Sequence, residues 1–323
     1  MAPLHIETPL IESRPLSARS GRRVWLKMEA FQPSGSFKLR GIGRACQEYA
    51  RRGATRFISS SGGNAGMAVA YAGRQLGVPV VVVVPETTSD HARALLHQDA
   101  ATVIVHGPSW QEANAYAQSV ISENDAFLHP FDNPLLWEGH ASMIDEVART
   151  GWHPDAVVLS VGGGGLLCGV VEGLRRNGWT DTAVIAVETR GTDSLAQSLA
   201  MGRRVELPNI TSIATSLGAR QVCARAFYFA GEHPLVSVVV SDKDAVQACR
   251  SFLHDHRVLV EPACGASLAL AYQRHAALQS FDKVLVIVCG GATATIEHLM
   301  KWSAQFDSRQ HCIAKLPERL SAS

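Results

Sequence analysis

Lys38 lies in the run Ser34-Gly35-Ser36-Phe37-Lys38-Leu39-Arg40-Gly41, small residues before it and helix formers after it, which places its amine at a loop-to-helix junction. A helix N-terminus disfavours a nearby cation, and partial desolvation does the same. Such an amine sheds its proton more readily than a solvated lysine and can attack a carbonyl. The competing fate of a lysine in this run is a solvated place on an amphipathic helix.

Three other loops could share a site with it. Four consecutive glycines, Gly162, Gly163, Gly164 and Gly165, follow the apolar run 156–161 and precede Leu166-Leu167-Cys168-Gly169-Val170-Val171. Unhindered backbone N–H groups at a helix start make a phosphate seat. Four glycines also cost about 1 kcal/mol each relative to alanine inside regular structure, which argues against a turn with no task. A dinucleotide fold is the rival, because Glu188 ends the next apolar run about where its ribose-binding acid belongs. The glycine spacing fails it: the third required glycine falls on Leu167 or Cys168, and no Walker lysine follows. Ser60, Ser61, Gly62, Gly63 and Asn64 offer hydroxyls, an amide and close-approach glycines, chemistry suited to a small carboxylate or a ring hydroxyl, although Asn64 could instead cap its helix. Cys289, before Gly290-Gly291, reads by itself as a buried small hydrophobe.

These loops need a scaffold that brings them together. Short β-branched runs at 56–59, 80–84, 102–105, 156–161, 183–187, 235–240 and 283–288 alternate with helical patterns at 64–76, 109–122, 166–176, 242–256 and 262–275. That alternation predicts an α/β protein with mostly parallel sheets covered on both faces. In open parallel sheets the ligand lies outside the carboxyl ends of the strands, where three of the loops fall. Their wide separation in sequence suggests two lobes, residues 1–30 with 136–323 forming a large cofactor-binding unit and 31–135 a small unit carrying the substrate loop.

Composition narrows the classes. The 323 residues are 46% apolar and 18% charged, as in a soluble globular protein, and a net charge of +1 gives no field to hold nucleic acid. No apolar run spans a bilayer, and the first residues lack a signal peptide's charged and apolar regions. Seven cysteines without C-x-x-C spacing argue against disulfides and zinc, so a reducing cytoplasm is expected.

Together, Ser-Gly-Ser-Phe-Lys-Leu-Arg-Gly around Lys38, the loop Ser60-Ser61-Gly62-Gly63-Asn64-Ala65-Gly66-Met67, the tetraglycine run, Val260-Glu261-Pro262-Ala263-Cys264-Gly265 and Cys289-Gly290-Gly291 resemble the serine/threonine dehydratase family, pyridoxal-phosphate enzymes of fold type II. The likeness runs from about Thr8 to the segment after Gly291. It implies two open twisted, mostly parallel sheets in two lobes, as in tryptophan synthase β. It also implies that Lys38 holds the cofactor as a Schiff base and later takes the α-proton, and that Phe37 packs on the ring. The four glycines would bind the phosphate, Asn64 would meet the ring hydroxyl, and Cys289 would face the pyridine nitrogen. Ser60, Ser61, Gly62, Gly63 and Asn64 would receive the substrate carboxylate, with Ser61 the position to watch for a second, racemising base. Glu188, Ser194 and backbone near Leu217 match a monovalent-cation neighbourhood such as a K+ site, less closely because Gly191-Thr192-Asp193 departs from the usual small residues. The resemblance implies L-serine deamination to pyruvate and ammonia, with L-threonine as a second substrate, and a homodimer. The alternatives are a serine racemase or β-replacement enzyme of the same fold, or a non-catalytic binding protein for a small ligand.

Overall fold

The computed structural model describes residues 1–313. The chain opens with β1 (Leu10–Glu12), α1 (Arg14–Ser20) and β2 (Arg23–Lys27), then enters α2 (Lys38–Arg51). Next come β3 (Arg56–Ser59), α3 (Asn64–Leu76), β4 (Val80–Val84), α4 (Asp90–Gln98), β5 (Thr102–Val105), α5 (Trp110–Ser119) and β6 (Asp125–Phe127). After α6 (Pro134–Arg149) the alternation resumes with β7 (Ala156–Ser160), α7 (Gly165–Arg176), β8 (Ala183–Thr189), α8 (Ser194–Met201) and α9 (Ala224–Glu232). It closes with β9 (Leu235–Val240), α10 (Asp242–His256), α11 (Pro262–Tyr272), β10 (Lys283–Ile287) and α12 (Ile296–Ile313).

Two sheets result. One has the order β5-β4-β3-β6 and is wholly parallel; the other runs β1-β2-β10-β7-β8-β9 and is parallel except for the β1–β2 pair. β7 and β8 are buried along their whole length, which is why they read as unbroken apolar runs and show no alternation. α11 is buried all round, packed on α10 and on the strands of the larger sheet. α6 lies between the lobes and packs against both α2 and α7.

The seven expected strands are present. β1, β2 and β6 add to them: β1 and β6 are three residues each, and β2 begins and ends on a charged side chain. Because the strands of each sheet run parallel, the loops after β3, β7 and β10 emerge at carboxyl ends and line one cleft of about 970 Å³. Among the described residues no helix is long and apolar enough to cross a membrane.

Candidate active site

The helices around the cleft begin in two ways. α4, α5 and α10 begin with a serine whose hydroxyl accepts a backbone N–H, and α5 and α10 complete a capping box. By contrast α2, α3 and α7 begin without any side-chain cap. At α2 the leading N–H groups are taken up by the carbonyls of Cys289, Ser36 and Phe37, so there the positive dipole end alone faces the cleft.

At α7, nothing among the described residues accepts from the backbone N–H groups of Gly162, Gly163 and Gly164. The loop is held from outside: the Gly163 carbonyl accepts the N–H of Cys223 at 3.0 Å, and Leu217 backbone lies against Gly162. Phe131 covers the loop so closely that a Cβ on Gly163 would stand 2.3 Å from its ring. Gly163→Ala should therefore weaken cofactor affinity. Overpacking costs about 1–3 kcal/mol, a rise of roughly 5- to 150-fold in dissociation constant, and quenching of protein fluorescence by added pyridoxal phosphate measures it.

Lys38 is the first residue of α2 and faces the same cleft. Its Nζ donates to the carbonyl of Pro130 at 2.5 Å and lies 5.3 Å from the Phe37 ring. Burial pushes the ammonium down to about 8, against the opposing pull of Cys289 and Glu261. The junction is clamped to the loop after β10: Phe37 N–H donates to the Cys289 carbonyl at 3.1 Å, and Gly291 N–H donates to the Gly35 carbonyl at 3.0 Å. Gly290 adopts φ +107°, and a Cβ there would lie 2.3 Å from the Gly35 carbonyl oxygen, so this contact requires glycine.

Asn64 does not cap its helix. Its Nδ2 donates to Glu261 Oε1 at 2.7 Å and its Oδ1 accepts the Ala292 N–H at 3.0 Å, leaving one N–H on a side chain that lines the cleft. Cys289 is buried in the cleft wall. Its thiol is pushed up by a hydrogen bond with Cys264 and by burial, so it stays neutral. Phe37 also lines the cleft, its ring 4.9 Å from that of His140. Ser61, Gly62 and Gly63 line the opposite wall, with Ser61 Oγ accepting the Gly63 N–H at 3.4 Å. Ser60 is turned away: it is buried, and its hydroxyl donates to Asn114 Oδ1 at 2.7 Å behind the wall. With its hydroxyl engaged there and Ser60 absent from the cleft lining, its side chain is not placed for the carboxylate-binding part expected of it.

Glu188 and Ser194 meet at the start of α8. The fully buried carboxylate accepts the N–H groups of Leu195 and Ala196, both at 2.8 Å, and burial pushes it up to about 8. No lysine or arginine pairs with it among the described residues, and the buried Ser194 hydroxyl has no partner.

Two contributors were not foreseen. Phe131 is an ordinary aromatic in a loop until the fold lays it over the glycines. Glu261 is buried beside Asn64; burial pushes it up to about 7, against bonds from Ser216 and Asn64 and the charge of Lys38. A readable signal existed for it: a lone acid leading Pro262-Ala263-Cys264-Gly265-Ala266, a segment with no other charge.

An amine depressed by burial, the N–H groups of the glycine loop, an amide donor and a neutral thiol line one cleft between two largely parallel sheets, a set of groups able to hold an anionic aromatic aldehyde. A family model for pyridoxal-phosphate dependent enzymes matches residues 1–290, and the chain belongs to that family. Human L-serine dehydratase/L-threonine deaminase is 47% identical over 308 residues, covering 92% of this chain and 94% of that protein. A mouse serine dehydratase-like protein is 48% identical, covering 94% and 95%. The crystal structure of a fungal L-serine ammonia-lyase from Rhizomucor miehei matches with a TM-score of 0.90 at 36% identity, covering 94% of this chain and 99% of that one.

Proposed function

We propose that the protein eliminates water from L-serine to give aminoacrylate, which takes up water again as it hydrolyses to pyruvate and ammonia, and acts in the same way on L-threonine, giving 2-oxobutanoate and ammonia. The observation that carries this is the depressed amine of Lys38 sharing one cleft with the free N–H groups of the glycine loop. Pyridoxal phosphate, when bound, supplies an electron-withdrawing ring that acidifies Cα of an attached amino acid. Gly162, Gly163 and Gly164 would hold its phosphate, Asn64 its ring hydroxyl, and Phe37 and Cys289 its ring. Lys38, once displaced, is a neutral amine that takes the proton from Cα. The loop of Ser61, Gly62 and Gly63 holds the substrate carboxylate. A neutral thiol leaves the ring a weaker electron sink than a carboxylate would, which suits elimination over transamination. One methyl group in a pocket is worth only about 1–3 kcal/mol, so threonine should be accepted. Supplying serine, threonine and O-acetylserine separately and measuring keto-acid release tests this; serine must give pyruvate, and racemised serine without pyruvate would move the assignment to a racemase.

Glu188, with both oxygens on backbone N–H groups and, among the described residues, no paired cation, and the Ser194 hydroxyl beside it, without a partner among the same residues, fit a monovalent cation such as K+, with the Leu217 carbonyl close to the glycine loop. The sign follows from the raised carboxyl. Its stabilising contribution is fully present below the ordinary carboxylate range and is lost as pH rises through about 8, when a bare buried charge forms. K+ offsets that charge. Thermal unfolding should show K+ raising Tm by about 3 °C or more at pH 8.5 relative to a bulky quaternary ammonium salt, and by progressively less towards pH 5. The proposal extends to a homodimer in a reducing cytoplasm; the free, buried thiols of Cys46, Cys168, Cys223, Cys249, Cys264 and Cys289 support the compartment.

A further inference from the structure

Glu261 belongs to none of the roles assigned above, yet it touches both sides of the cleft. It stands at the N-terminus of α11 in the larger lobe and accepts from Asn64, 197 residues away at the start of α3 in the smaller one. Ser216 bonds it from the larger lobe, and Gly291 is packed so closely that a Cβ there would stand 2.6 Å from the Glu261 Cβ. The carboxyl also forms part of a second chamber of about 160 Å³, lined by Ser89, Thr215, Thr293 and His298, through which water can reach it.

We propose that Glu261 is a positioning residue: an interlobe latch that fixes the Asn64 amide so that its one remaining N–H faces the cofactor's ring hydroxyl, and whose negative charge keeps a proton on the nitrogen that joins Lys38 to the cofactor. This rests on the function proposed above. With Ala292 N–H on Oδ1 and Glu261 on one Nδ2 hydrogen, neither an amide flip nor a rotation leaves both bonds intact. The groups facing the carboxylate are Lys38, whose charge it feels, and the thiols of Cys249 and Cys289, both held neutral; His298 faces it across the chamber. A single anion next to a protonated nitrogen raises that nitrogen's affinity for its proton.

Two variants separate the bond from the charge. Glu261→Gln keeps an oxygen to accept from Asn64 and loses the charge; Glu261→Ala loses both. After loading with pyridoxal phosphate, the pH midpoint of the visible band should fall by about one unit in Glu261→Gln, with cofactor dissociation constant within about threefold of wild type. In Glu261→Ala that constant should rise about tenfold or more, and combining it with Asn64→Ala should add little further loss. For serine, Glu261→Gln should lower kcat about tenfold with KM within about threefold. A wild-type midpoint in Glu261→Gln, or wild-type cofactor affinity in Glu261→Ala, overturns the assignment. A merely structural residue would move Tm and leave the midpoint in place. The spectral and affinity measurements need no turnover, so they stand even if serine proves not to be the substrate.

Discussion

Lys38→Ala protein is expected to develop no visible band with pyridoxal phosphate and to release pyruvate at less than about one ten-thousandth of the wild-type rate. General-base catalysis alone is worth about 10²- to 10⁴-fold, and the covalent hold on the cofactor is lost with it. The loss should be chemical: the glycine seat and Asn64 are untouched, so the phosphate still binds, more weakly. The pH dependence of wild-type reconstitution gives the complementary check. Burial holds the amine near 8, so at pH 7 roughly a tenth is neutral and able to attack the aldehyde. Uptake of cofactor by the empty protein, followed by visible absorbance in a stopped-flow instrument, should quicken as pH rises through about 8 and then level off. Wild-type pyruvate release by Lys38→Ala would sink the proposed role of the amine.

What made Lys38 legible was the cost of its surroundings. A run of small residues before a helix, four glycines after a strand and a second glycine pair after another are expensive unless a backbone must approach something: the four glycines line the cleft, while Gly35 and Gly290-Gly291 let two backbones meet beside Lys38. The alternating apolar runs were legible for a related reason: strands buried on both faces have no polar side to disguise them. β2 carries a charge at each end, and its Lys27 is buried, bonded to Thr8 and to Glu146 119 residues further on. No local pattern encodes a partner at that distance. Ser60 and Ser61 illustrate the same limit on a smaller scale. Their chemistry can be read from the sequence, but which hydroxyl faces the cleft depends on the direction in which the chain leaves β3.

Arg40, two residues after Lys38, reads in sequence as a helix former, and the fold gives it a larger part. Its guanidinium is fully buried and bonds Glu29 at 2.7 and 2.8 Å and Glu146 through both oxygens at 2.6 Å, with Ser142 at 2.9 Å. Burial alone would lower its pKa, and the two carboxylates more than reverse that. Lys27 joins Glu146 in the same cluster, so two cations face two carboxylates out of water. The cluster ties the first turn of α2 to the segment after β2 and to α6, so the start of the Lys38 helix is anchored to the larger lobe. Arg40→Met removes one partner and leaves an uncompensated buried carboxylate, a loss of about 3–5 kcal/mol. Calorimetry should show Tm lower by on the order of 10 °C. Arg40→Lys keeps the charge but cannot fork to both carboxylates, and should fall between the two. Because the anchor also sets where the amine stands, the Lys38–cofactor bond should form more slowly in Arg40→Met even well below its melting temperature. An Arg40→Met protein with wild-type Tm and wild-type reconstitution rate would show that the cluster neither stabilises the lobe junction nor positions the amine.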